Sequence, residues 1–396
     1  MTRTAIDGRR RMPPAHSSEE GREPVVTDKI NWIQWLRAIA AIEVILWHSD
    51  LVTKHFSPAL IGSTAYSRFG GFGVELFFII SGYIICLTAK KYQSGALFMM
   101  NRIVRLLPAY WFFTLLVFLA VWIEPAWRQH SLSYSSDVIL KSLLFFPQQD
   151  VPVLALGWSL EHEMIFYLIV ALALVVAGAF TFTRQIVVAL LLTALGVAGF
   201  MLGTGLGQRF WDYHVMSPYM VAFAFGWIFR LADTSAPSRK TLLYLIPMAT
   251  LLTLASVPID PSEQPLLERI ALAAVLFVAA GSLGAVLERG NIVNRFMARI
   301  GDASYSIYLS HWFCLSVIGK VLGRIAPPAE FDVVSRAGAV MVAILFGLAF
   351  FDRVERPVDV FLKRALRLGR RPGSSIALPG AAAKLRPIVS DPGIIR

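Results

Sequence analysis

Charge is scarce in this chain. Asp, Glu, Lys and Arg make up 16% of its 396 residues, against about 25% in soluble proteins, and the mean hydropathy is +0.61. That shortage excludes a globular domain with a solvated polar surface. Cysteine is scarcer still. Only Cys86 and Cys314 are present, both inside apolar stretches, which leaves no disulfide framework and no metal-ligand spacing; both are expected to be buried free thiols. Strict apolar/polar alternation is missing, which excludes a transmembrane β-barrel. Residues 1–29 lack the apolar core of a secretory signal and are rich in charge, Pro and Gly.

What the chain does have is a succession of apolar runs near 20 residues long. Such runs form helices in lipid, because a helix satisfies its own backbone hydrogen bonds there. Ten spans are expected, at about 33–52, 72–89, 106–123, 158–180, 185–203, 216–231, 241–257, 268–287, 303–323 and 337–352. The fold class is therefore an all-α, polytopic membrane helical bundle. It divides into a disordered tail (1–29), a membrane domain (30–365) and a basic, mostly disordered tail (366–396). The net charge of +11 could suggest nucleic acid, but its placement argues otherwise. With the N-terminus inside, 27 of the 37 Lys and Arg fall in the tails and inward loops and nine near the outward ones. That bias is the positive-inside rule, so both termini are expected in the cytoplasm. Some of the charge is expected to meet anionic lipid, and no nucleic-acid partner is expected. Within 124–157, DVILKSLLFFP reads as a short amphipathic or re-entrant segment.

Against this apolar background the ionisable residues stand out. RAIAAIEVILWHSD (37–50) places Arg37 and His48 eleven residues apart in the first span. Eleven residues are nearly three turns, so the two share a face, roughly 16 Å apart along the axis. A stripe of that kind belongs on the bundle interior or a wet cavity; the blander reading is a snorkelling arginine and a packed histidine. Glu43 lies about 120° off the stripe and has no evident role. GGFGVELFFIISGYII (70–85) combines small residues suited to close helix packing with Glu75, Ser81 and Tyr83. NRIVRLLPAYW (101–111) sets Arg102 and Arg105 on one face of a short surface helix before Pro108. Two guanidiniums facing one way can grip phosphate. In GWSLEHEMIFYL (157–168), Trp158 and Tyr167 suit the outer interface as aromatic anchors. Glu161, His162 and Glu163 enter the membrane together, Glu163 deepest, with Tyr167 four residues on. SYSIYLSHW (304–312) carries His311, read as a hydrogen-bonded structural histidine, and Glu355-Arg356-Pro357 reads as an ion-paired helix stop.

Taken in order, these pieces resemble the membrane acyltransferase family 3 proteins, which include bacterial O-antigen and exopolysaccharide acetyltransferases. The resemblance runs from about Ile30 to Val358 and is strongest toward the exopolysaccharide-production acetyltransferases. Glu43 and Glu161-His162 depart from the family pattern. The resemblance implies an acyltransferase of the class that moves groups other than aminoacyl groups, seated in the cell inner membrane. It would transfer an acyl group, acetyl by default, from acyl-CoA (acetyl-CoA) to a sugar hydroxyl of a polysaccharide or a lipid-linked oligosaccharide. Neither a bound cofactor nor a metal is implied, and a polysaccharide synthase is an expected partner. By the same resemblance His48 is the base, with Arg37 and Glu163 as further catalytic residues. Arg102, Arg105 and Arg37 hold the donor's phosphates. Glu163, Tyr167, Trp158 and Ser81 contact substrate, and Glu163 either orients the sugar or holds the His48 tautomer. The arrangement requires the imidazole of His48 to face a passage that a thioester can enter from the cytosol. Two other classes compete: a sugar or precursor transporter, which would more readily show repeated halves, and a non-catalytic synthesis partner, in which His48→Ala would be harmless.

Overall fold

The computed structural model describes residues 30–56, 71–124, 135–148, 151–202, 214–256 and 264–368. The two predicted tails therefore lie almost wholly outside the described residues. Within them the chain is helical, with no strand. The helices are α1 (Asn31–Phe56), α2 (Gly73–Ala89), α3 (Gly95–Ile123), α4 (Ser136–Leu143), α5 (Gly157–Ala177), α6 (Phe182–Leu202) and α7 (Tyr219–Asp233). They continue with α8 (Pro237–Ser256), α9 (Gln264–Ser282), α10 (Gly284–Leu287), α11 (Ile292–Asp302), α12 (Ser304–Ile325), α13 (Asp332–Phe350) and α14 (Arg356–Ala365). Nine of the ten apolar runs fall mainly on one helix each, and 268–287 is divided between α9 and α10. Among the described residues, six helical segments are long and apolar enough to cross a membrane: α3, α5, α6, α9, α12 and the continuous Asp332–Ala365 unit. The outward faces of α3, α5, α6 and α13 carry bare apolar side chains such as Trp122, Val176, Leu190 and Leu345. Water would not tolerate so broad an apolar surface, whereas lipid matches it. The protein is a multi-pass membrane protein.

Helix α1 is the hub, packed by α2, α9, α11, α12 and α13. Its Ala38, Ala41 and Ile45 join a compact core with Ile300, Ile307, Leu315, Ala339 and Ala343. Its opposite side, Leu36, Ala40 and Val44, joins the larger core built on α2, α5, α7 and α9. Small residues let these helices approach closely. At the crossing of α2 and α7, Gly82 lies against the backbone of Phe223, and Gly226 lies against the backbone of Ile79. Any side chain there would force the helices apart.

Two local features correct the sequence reading. Arg102 and Arg105 are not on a separate surface helix, because α3 runs unbroken from Gly95 through Pro108. Proline removes one rung of the hydrogen-bond ladder; near it, the Tyr305 hydroxyl from α12 donates to Leu106 O at 2.8 Å. Nor does Glu355-Arg356-Pro357 stop a helix. A π-turn (Phe351–Glu355) leads directly into α14, with proline in its first turn. Glu355 is buried and accepts a hydrogen bond from Ser306. The amphipathic segment expected in 124–157 is α4, capped by Ser135 and tethered through Trp111 Nε1, which donates to Leu143 O at 2.7 Å.

Candidate active site

A cavity of about 480 Å³ opens between α1, α2, α3, α5 and α12, with the end of α11, the π-turn and α14 closing one side. Its lining includes Arg37, Arg102, Arg105, Lys363 and Asp302, and also Ser81, Glu163 and Tyr167. Residues predicted from four separate motifs thus share one space.

The arginines form a cationic end. Arg37 donates to Gln34 Oε1 at 3.2 Å and lies in the field of Arg105, Asp302, Glu355 and Glu163. Arg102 stacks over Phe98 with its Cζ 5.6 Å from the ring centroid, and its buried Nε has no hydrogen-bond partner. Neither Arg102 nor Arg105 donates to a protein acceptor among the described residues. Like charges held close in a partly buried space need an anion to offset their repulsion and desolvation. Planar guanidiniums with free donors suit phosphate.

Glu163 forms the polar centre farther along. Ser81 Oγ donates to its Oε1 at 2.6 Å, and the buried Tyr167 hydroxyl donates to the same oxygen. Tyr167 is therefore no interface anchor: its hydroxyl is satisfied inside the bundle, and its ring packs edge-on against Phe98. Glu163 does not touch His48, which removes it as the holder of that ring's tautomer. Trp158 lies outside the cavity lining, against His162 and Tyr219.

His48 also lies outside the lining. Its Nδ1 is 3.0 Å from Val44 O and 3.1 Å from His311 Nε2, and Trp312 packs edge-on against its ring. His311 is fully buried, with Nδ1 2.6 Å from Tyr308 O. Tyr308 is a cavity-lining residue whose hydroxyl lies 2.7 Å from Ser159 Oγ. The connection from cavity to His48 thus runs Tyr308, His311, His48. The open passage expected between the arginines and His48 stops at this wall. Arg37 and His48 do ride on one helix, but Arg37 faces the cavity and His48 faces α12. Nothing in the spacing of either histidine motif could have paired them, because the contact joins α1 to α12.

The two departures from the family pattern have structural roles. Glu43 reaches across to the start of α2 and accepts from Gly71 N at 2.5 Å and Gly73 N at 2.9 Å. Phe72, at the cap position, offers no side-chain acceptor, so a carboxylate from α1 serves as the cap and meets the positive end of the helix dipole. Gly71 has φ +88°, a conformation open to glycine. Glu161 faces away from the cavity, in a buried cluster where it accepts from Gln148 Nε2 at 3.0 Å and lies 3.1 Å from His214 Nε2. His162 stacks on His214. Among the described residues no cluster of potential metal ligands occurs.

The family described as "Acyltransferase domain" matches residues 30–351. Over 338 residues the chain is 29% identical to the "Exopolysaccharide production protein ExoZ" of Rhizobium meliloti (strain 1021), covering 80% of this chain and 95% of that protein. No solved structure matches. With the domain spanning most of the chain and its motifs gathered around one cavity, the protein belongs to this acyltransferase family and is an acyltransferase.

Proposed function

We propose that the protein is an integral membrane O-acyltransferase that moves an acyl group, acetyl by default, from cytoplasmic acyl-CoA to a sugar hydroxyl of an exopolysaccharide or its lipid-linked precursor. The observation that carries this reading is the gathering of Arg37, Arg102 and Arg105 at one end of a cavity whose wall leads, through Tyr308 and His311, to His48. The arginines bind the phosphates of the donor. Glu163, oriented by Ser81 and Tyr167, receives a sugar hydroxyl or steers the acyl arm. His48 Nε2 takes the proton of the attacking hydroxyl. The oxygen then bonds to the acyl carbon, the carbon–sulfur bond breaks, and the thiolate recovers the proton from His48. Atoms and charge balance without a metal. For the thioester to reach His48, the Tyr308 side of the cavity wall has to shift. Ten spans, both termini in the cytoplasm and an inner-membrane location complete the reading; they place the arginines at the donor's side. The exopolysaccharide acceptor rests on the name of the R. meliloti relative.

The test is NMR of surface polysaccharide from a deletion strain, its complement and a His48→Asn complement. Acyl signals should vanish in the deletion strain, return with the wild type and stay absent with His48→Asn, while the variant still reaches the membrane. Acyl signals unchanged by deletion would refute the acceptor assignment. Acylation restored by His48→Asn would remove His48 as the base.

A further inference from the structure

We infer that His311 is a positioning residue that fixes His48 in the tautomer needed for catalysis, an inference that rests on the acyltransfer reading of the cavity. The hydrogen-bond partners determine where the protons lie. A carbonyl oxygen can only accept. The 2.6 Å contact from His311 Nδ1 to Tyr308 O therefore places a proton on that nitrogen, and in the neutral ring Nε2 is then a lone pair. That lone pair faces His48 Nδ1 at 3.1 Å. His48 Nδ1 also faces Val44 O at 3.0 Å, a second acceptor. Both neighbours require a proton on His48 Nδ1, which leaves His48 Nε2 as the basic lone pair. Without His311, Val44 O alone would hold the ring, and rotation about the side chain would release it.

The surroundings make this more than incidental packing. The two rings lie 5.0 Å apart between centroids at 36°, so the lone pair and the N–H meet without the rings stacking face to face. Trp312 fixes His48 edge-on from the same helix, with centroids 5.1 Å apart at 78°. His311 is itself locked, being fully buried with its second nitrogen committed to Tyr308 O. When His48 takes the hydroxyl proton, its Nδ1–H becomes the donor of a cationic ring. Val44 O and His311 Nε2 then accept a stronger, charge-assisted bond. His311 touches no substrate; it acts through His48, as the orienting partner of a catalytic base does.

Two variants of the full-length protein in lipid nanodiscs test this. His311→Leu fills the space without an acceptor. His311→Gln keeps an amide oxygen that can accept from His48 Nδ1–H. We expect His311→Leu to lower kcat about 100-fold with KM for acetyl-CoA within about twofold, and His311→Gln to recover at least about a tenth of the wild-type kcat. ¹⁵N-histidine NMR, with the His48 signals assigned by difference against His48→Gln, reads the tautomer independently of turnover. The Nδ1–H form should dominate in the wild type and in His311→Gln, and lose that dominance in His311→Leu. Wild-type kcat in His311→Leu, equal damage in both variants, or an unchanged His48 tautomer in His311→Leu would overturn the inference. If the wild type itself transfers no acyl group, the acyltransfer reading fails and this inference with it; if it does while His311→Leu turns over equally fast, only the positioning role is lost.

Discussion

The arginine pair gives the sharpest quantitative test of how the donor is held. Arg102 and Arg105 face the cavity with no protein acceptor for their donors among the described residues, so their removal mainly subtracts contacts to a ligand. A hydrogen bond to a charged group contributes about 1.5–3 kcal/mol. If each guanidinium makes one such contact with phosphate, the double variant Arg102→Gln/Arg105→Gln loses about 3–6 kcal/mol of donor binding. At 1.4 kcal/mol per decade that is a rise in KM for acetyl-CoA of about 10²–10⁴-fold. The control is a second donor, the acetyl thioester of N-acetylcysteamine, which carries the thioester and no phosphate. Its kcat/KM should change by less than about threefold, because nothing in it meets the arginines. The assay is acyl transfer by the protein in nanodiscs with each donor. Parallel losses for both donors would refute the reasoning and make the pair structural, acting through Phe98 on one side and Glu355 on the other.

Three further outcomes are expected. Glu163→Gln should lower kcat/KM about 10–100-fold, as loss of a site-orienting carboxylate does, while Trp158→Phe, outside the cavity, should stay within about twofold; a reversal in the same transfer assay would move the substrate site to Trp158. Glu43→Ala should destabilise the protein by roughly 1–3 kcal/mol for each of the two backbone N–H groups it uncaps, read as a fall in thermal midpoint, with Glu43→Gln intermediate; an unchanged midpoint would show that the α2 terminus finds other partners. Gly226→Leu should exceed the 1–3 kcal/mol usual for overpacking, because its side chain would meet the α2 backbone rather than a movable side chain; expression and melting comparable to wild type would refute the close crossing.

The helices were legible because their signal is local. The apolar runs are helical where they are described, because a helix satisfies its own backbone in lipid, and six helical segments are long and apolar enough to cross a membrane. The polar residues that line the cavity were legible too, since charged and hydrogen-bonding groups are costly in an apolar helix and stand out wherever they persist. Arg37, Arg102, Arg105, Ser81, Glu163 and Tyr167 do line one cavity. What the sequence could not supply was the partner of each group. Glu43 makes sense only when the start of α2 lies beside it. His311 reads as structural until α12 is laid against α1. The wrong readings have the same origin. Pro108 looked like a boundary because proline usually is one, yet tertiary contacts carry α3 through it. Tyr167 looked like an interface anchor because the position of its hydroxyl was unknown.

The distribution of polar groups along α1 explains why one helix carries so much of the site. Arg37 and His48 are separated by roughly 16 Å of helix rise, and a packed helix does not stretch. The distance between the two side chains is therefore held by backbone hydrogen bonds rather than by loops. Glu43, between the two, ties α1 to the start of α2, and α2 carries Ser81 to Glu163. Val44, one residue on, offers its carbonyl to His48. A shift of α1 along its axis would thus move Arg37, the α2 cap and His48 together. On the cavity side His48 is screened by the side-chain wall at Tyr308, whose hydroxyl lies 2.7 Å from Ser159 Oγ and donates to Leu156 O at 3.2 Å on the neighbouring segment.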